Sequence, residues 1–176
     1  MRSCWSRELK GKAEFEGARN LARATYKLRD ALRHCRSPFY SGDEFPEETV
    51  WDRQDEQGEA SKRAYVYENR FDPVRNAIQE FDSSVLEAEA LWGSKIKAKT
   101  DAIRSYAQEL YGAMQADVGN KISRGEDFKH DDMLKKQVQQ KVTFLPNDKD
   151  NEFSKLIYKA VEEIEDEMRP HLRRNA

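Results

Sequence analysis

Apolar residues recur at alternating steps of three and four along one stretch: Tyr67, Phe71, Val74, Ile78, Phe81, Val85, Ala88 and Trp92. That period holds all of them on one face of an α-helix, and a strand repeat of two cannot accommodate it. The series resumes as Ile96, Ile103, Ala107, Leu110, Met114 and Val118. Across Trp92-Gly93-Ser94 the phase advances by four residues, a stutter that a continuous helix absorbs by slight unwinding. A mid-helix glycine costs only about 1 kcal/mol. Lys97 also stands where a capping box would want Glu. The expectation is one helix over 61–122, kinked at Pro73 and ~90 Å long at its full rise. A compact chain of this length would be roughly 40 Å across, so the alternative is a break at Gly93.

The remaining segments also read as helices. A first helix over 3–36 carries Leu21, Leu28 and Cys35 at seven-residue steps, with Ala18, Ala24, Thr25, Ala31 and Leu32 on the same face. Ser37-Pro38 ends it, because the residue before proline avoids the α region. A thinner strip, Phe15–Ala22–Tyr26, lies almost opposite and needs a cover of its own. The acidic stretch 37–60 reads as a long loop whose aromatics Phe39, Tyr40, Phe45 and Trp51 fold it back on the bundle, with a short helical turn after Pro46. A short helix over 129–142 should turn Met133, Leu134, Val138 and Val142 inward. A last helix over 151–169 should bury Phe153, Ile157, Ala160, Ile164 and Met168, ending before Pro170. The expected fold is a single all-α domain: an elongated antiparallel helical bundle around one long central helix, with the rod pairing with a second copy to cover the outer strip.

Composition agrees with long solvated helical faces: 36% of the chain is charged, and eight glycines and five prolines are too few for a sheet-rich fold. No apolar run approaches the ~20 residues that span a bilayer, which points to a soluble, cytoplasmic chain. Charge is segregated. Residues 1–40 hold ten Lys/Arg against four Asp/Glu, and residues 41–90 hold five against fourteen. Such segments can each take an outside partner or pack on one another, and the second is the simpler expectation. Arg19, Arg23, Lys27, Arg33 and Arg36 crowd one half of the first helix. With the acidic neighbour and a pI near 6.0, they point away from nucleic acid.

Little in the sequence has the spacing of chemistry. His34 and Cys35 are adjacent on a helix and so face about 100° apart. Cys35 keeps the phase of Leu21 and Leu28, which predicts a buried thiol acting as a small hydrophobe. Cys4 and Cys35 are ~45 Å apart on one helix, too far for a disulfide within the chain. Asp148, Asp150 and Glu152 imitate the start of a calcium loop, but Phe153 and Lys159 occupy the positions that need Gly and Glu. His130-Asp131-Asp132 and Glu167…His171 lack the Glu-x-x-His spacing of a carboxylate metal bundle. No phosphate loop, GxSxG or HExxH occurs. No catalytic, cofactor or metal residue is therefore assigned.

The stretches WSRELKGKAEFEGARNLARATYKLRDALRHCRSPF and YENRFDPV…LEAEALWGSKI resemble a group of uncharacterised bacterial helical proteins. In those, a similar cytoplasmic region follows an N-terminal membrane helix, a segment with no counterpart here. The resemblance spans roughly residues 5–115 and rests on helix-packing patterns, so it carries over no functional residue. It implies a membrane-proximal helical rod whose start at Met1 is a truncation or a soluble variant.

The expected function is a non-enzymatic interaction or scaffold module with a protein partner or a second copy of itself. The candidate surface is Phe15, Arg19, Ala22, Arg23, Tyr26, Lys27, Phe39, Tyr40, Phe45 and Trp51. One alternative is an enzyme or metal-binding bundle whose Glu, Asp and His residues converge from distant segments. Another is a binder of an anionic partner, nucleic acid or membrane surface, through the basic first helix.

Overall fold

The computed structural model describes residues 2–45 and 56–172, with side chains over 8–45 and 58–172. Among these are five α-helices and no strand: α1 (Arg2–Cys35), α2 (Glu56–Trp92), α3 (Lys95–Ile122), α4 (Asp132–Val142) and α5 (Glu152–Leu172). Single 3₁₀ turns lie at Gly42–Glu44 and Glu126–Phe128. Pro46, Trp51 and the turn expected after Pro46 lie outside the described residues.

Side-chain pairs fix the directions of the four long helices. Lys27–Glu80 and Asn20–Glu87 set α1 antiparallel to α2. Tyr67–Asp117 and Arg104–Asp82 set α2 antiparallel to α3. Lys99–Glu163 and the Tyr106–Phe153 ring contact do the same for α3 and α5. Glu14–His171 and Arg36–Ser154 close the square between α5 and α1. The fold is an all-α antiparallel bundle with its core stripes facing one axis.

The single helix over 61–122 does not exist; it is the hairpin of α2 and α3. Gly93 adopts φ +85, and its N–H donates to the Glu89 carbonyl at 2.8 Å. A left-handed glycine past the last helical residue is a C-terminal stop. The four-residue phase step therefore marks a reversal rather than an unwinding. The reason is burial: folded back, the α2 stripe from Phe71 to Ala88 and the α3 stripe from Ile96 to Val118 share one core cluster. An extended rod would leave both wanting partners. The longest helix, 37 residues, is then ~55 Å rather than ~90 Å.

Within α2, Pro73 interrupts nothing. It and Asn69, whose carbonyl loses its usual partner, are both exposed, so water can serve the orphan acceptor. α2 also begins at Glu56, which shortens the acidic connection, and α5 runs through Pro170 to Leu172.

The strip Phe15–Ala22–Tyr26 is partly covered inside the chain, with Tyr26 still 38% exposed. Ala22 packs against the core, Phe15 is half-buried, and the Tyr26 hydroxyl bonds Glu165 of α5. The other departure is α4. Val138 is buried and Val142 half-buried, but Met133 is 71% exposed and Leu134 39%. α4 rests mainly on α3, packing Val138 beside Ala113 and Phe128. One neighbour can bury only one narrow stripe.

Candidate functional site

The helices do not end level, and the mismatch makes a cleft. α1 stops at Cys35, beside Arg70 of α2, and α5 starts beside the end of α1. The first fifteen residues of α2, 56–70, therefore run on for about four turns. The C-terminal half of α3 accompanies them. The places that α1 and α5 would fill are taken by the 37–45 segment on one side and α4 on the other. Between them lies a cleft of about 540 Å³.

One wall is built by Arg70. Its guanidinium, only 7% exposed, donates to the carbonyls of Ser37 and Phe39 and to both Glu44 carboxylate oxygens. It also lies 4.5 Å over the Tyr40 ring. The hydrogen bond from Arg70 is the main reason that Glu44 sits below the usual carboxylate range. Tyr40, with Phe45 against its ring at 6.1 Å, is thereby held at the mouth of the cleft.

The opposing wall is a connected polar set. Arg63 donates to the hydroxyls of Tyr40 at 2.7 Å and Tyr67 at 3.3 Å. Tyr67 in turn donates to Asp117 at 2.8 Å. Arg63 and Asp117 are also an ion pair at 3.6 Å. Burial first, and the Asp117 charge second, push the Tyr67 hydroxyl well above its ordinary value, so it stays a donor. Lys121 and Asn120 of α3, Lys136, Gln139 and Gln140 of α4, and Asp148 and Asn151 beyond α4 add to the lining.

Beneath the cleft lies Arg36, 1% exposed. Among the described residues it faces no carboxylate. Its Nε donates to the Lys141 carbonyl at 2.6 Å, and Nη2 reaches the carbonyls of Gln140 and Thr143, Asn151 Oδ1 and Ser154 Oγ. These carbonyls are the C-terminal end of α4, the negative pole of that helix. Burial pushes the guanidinium down to about 10, so it remains charged at neutral pH. Its plane is also flanked by Phe153 at 4.9 Å. Arg36 thus fastens α1, α4 and α5 to one another.

The expected surface residues are dispersed. Arg19 pairs with Glu16 of its own helix and Lys27 with Glu80 of α2, so part of the segregated charge is spent inside the fold. Arg23 is exposed beside the α1–α2 groove. Of the described loop aromatics, Phe39 alone is fully outward, at 78%. Tyr40 is the one described member of that set lining the cleft.

The ligand-like clusters resolve into helix ends. Asp131 caps α4 through Leu134 N–H at 2.8 Å, and Asn151 caps α5 through Ser154 N–H at 2.9 Å. Asp148 accepts from the Asp150 N–H. Cys35 is buried, which pushes its thiol up to about 12, while His34 is exposed. At the far end of the bundle His171 stacks on Trp92 at 4.3 Å. No group of three or more His, Cys, Asp or Glu is arranged to hold a metal among the described residues.

The polar cleft residues escaped the sequence because charged side chains on amphipathic helices ordinarily read as solvated faces. One signal was present: Arg70 lies within the apolar phase of Tyr67, Phe71 and Val74, where a charge needs a buried partner. No protein-family model, curated protein or solved structure matches this chain significantly.

Proposed function

We propose that this protein is a non-enzymatic helical interaction module that self-associates through α4. The observation that carries this is the outward placement of Met133 and Leu134 on a helix that rests mainly on α3. Large apolar side chains grouped on one exposed helical turn favour burial against another surface. A second copy offers the same turn, and a twofold pairing of α4 with α4 would be self-complementary.

The basic-helix alternative has less to work with. Among the clustered Arg19, Arg23, Lys27, Arg33 and Arg36, the last is buried and Arg19 and Lys27 are paired, which leaves Arg23 and Arg33 outward. A cytoplasmic setting fits the free, buried Cys35 thiol. A membrane-proximal position rests on the family resemblance alone. No helix among the described residues is long and apolar enough to cross a membrane.

Sedimentation velocity over a concentration series tests the reading. The wild-type protein should show a concentration-dependent dimer. Met133→Glu with Leu134→Glu should give a monomer with unchanged helical circular dichroism. A wild-type chain that stays monomeric throughout, or a dimer indifferent to both changes, refutes it.

A further inference from the structure

We infer that the end cleft binds a small polar molecule carrying a phosphate or carboxylate group. Its volume of about 540 Å³ is of metabolite scale, within the roughly 300–1,000 Å³ usual for ligand sites. Its lining is polar and drawn from several elements, so a ligand there would touch α2, α3, α4 and the 37–45 segment together.

Charge decides the class of ligand. Three cations line the cleft, Arg63, Lys121 and Lys136, against two carboxylates, Asp117 and Asp148. Asp117 is occupied, accepting from Tyr67 and paired with Arg63. Asp148 accepts a backbone N–H in its own turn. Lys121 and Lys136 come from different helices, and neither has a carboxylate partner among the described residues. Two unpaired ammonium groups beside one cleft supply the attraction that an anionic group needs.

The cleft is also rigid where it must be. Tyr67 and Asn151, each only 3% exposed, line it with both side chains already hydrogen-bonded. Tyr40 accepts from Arg63, so its own hydroxyl proton remains to be donated. Gln139 and Gln140 add amide groups on the α4 side. A ligand therefore meets a largely preformed array of donors, which lowers the ordering cost of binding.

Titration calorimetry at about 150 mM salt, where loose surface attraction is screened, tests this on the intact chain. Inorganic pyrophosphate and citrate are the probes, the first reporting phosphate recognition and the second carboxylate recognition. Binding of either one is expected. Lys121→Gln with Lys136→Gln should weaken it by about tenfold or more. Lys97→Gln with Lys159→Gln, the same loss of charge at exposed sites away from the cleft, should change it less than about twofold. Circular dichroism would verify that both double variants remain folded. Failure of both probes to bind below about 10 mM, or equal weakening by the two pairs of substitutions, overturns the assignment.

Discussion

Replacing Arg36 by Met probes the joint on which the cleft rests. Met keeps the length and most of the volume of the arginine stem, so the cavity term is small. What is lost is the guanidinium, with its hydrogen bonds to three α4-end carbonyls, Asn151 Oδ1 and Ser154 Oγ. Counting each charged hydrogen bond at its full net value of about 1.5–3 kcal/mol would exceed the effect, because burying the charge costs several kcal/mol in return. The Gln140 and Thr143 carbonyls keep a donor in Asn151 Nδ2, and Asn151 Oδ1 keeps the Ser154 N–H, so the net change is set by the Lys141 carbonyl and Ser154 Oγ, at about 1–3 kcal/mol for each acceptor left unpaired. Against a total stability of about 5–15 kcal/mol, that is a large fraction. Arg36→Lys should recover only part of it, since one ammonium cannot span acceptors arranged for a planar fork. Urea unfolding gives the magnitude, and amide exchange over 132–142 gives its location, because α4 should open first. An Arg36→Met variant within about 1 kcal/mol of the wild type would refute the reasoning.

Gly93→Ala decides the hairpin by the sign of its effect. At φ +85 an added Cβ should destabilise by about 1–2 kcal/mol, whereas in a continuous helix it would stabilise by about 1 kcal/mol; thermal melts suffice. Alkaline stability tests the burial of Cys35, whose thiol moves from 9.0 to about 12 in the fold. Between those values the unfolded chain has released a proton that the native chain keeps, so stability falls as pH rises, by up to ~1.4 kcal/mol per unit. Cys35→Ala should flatten part of the fall between pH 9 and 10, where the raised tyrosines contribute equally to both proteins, and an unchanged slope would contradict the burial.

The helical stripes were legible because period and burial have one cause. Leu21, Leu28, Cys35, Phe81, Ile103 and Ile164 are wholly buried, each at a position that the three-four spacing marks. Where an element rests mainly on one neighbour, as α4 does on α3, the same spacing overstates what is buried, as Met133 and Leu134 show. Arg36 was a more serious omission. On the sequence it is one of several basic residues at a helix end, where a cation beside the α1 terminus is already accounted for by the dipole. Its actual partners lie more than a hundred positions away, at Gln140 to Ser154. A contact of that separation leaves no local period or motif.

Gly93 shows how one undecided turn governs the site. A continuous stripe and a reversed one have the same apolar residues at the same spacing, since each half of a hairpin keeps its own phase. Only the left-handed conformation of one residue separates them, and glycine permits both. Once the chain reverses there, α2 and α3 lie side by side, and their far ends must stand past the Ser37-Pro38 stop of α1. The cleft then follows from unequal helix lengths, with the 37–45 segment and α4 as its walls. Arg70 and Arg36 are buried because these walls are peripheral pieces with little core of their own. Each is tied down by a guanidinium bonded to backbone carbonyls, Arg70 for the 37–45 segment and Arg36 for α4. The candidate site is thus assembled from the parts of the chain held mainly by directional polar bonds, and these are the parts that hydrophobic periodicity describes least.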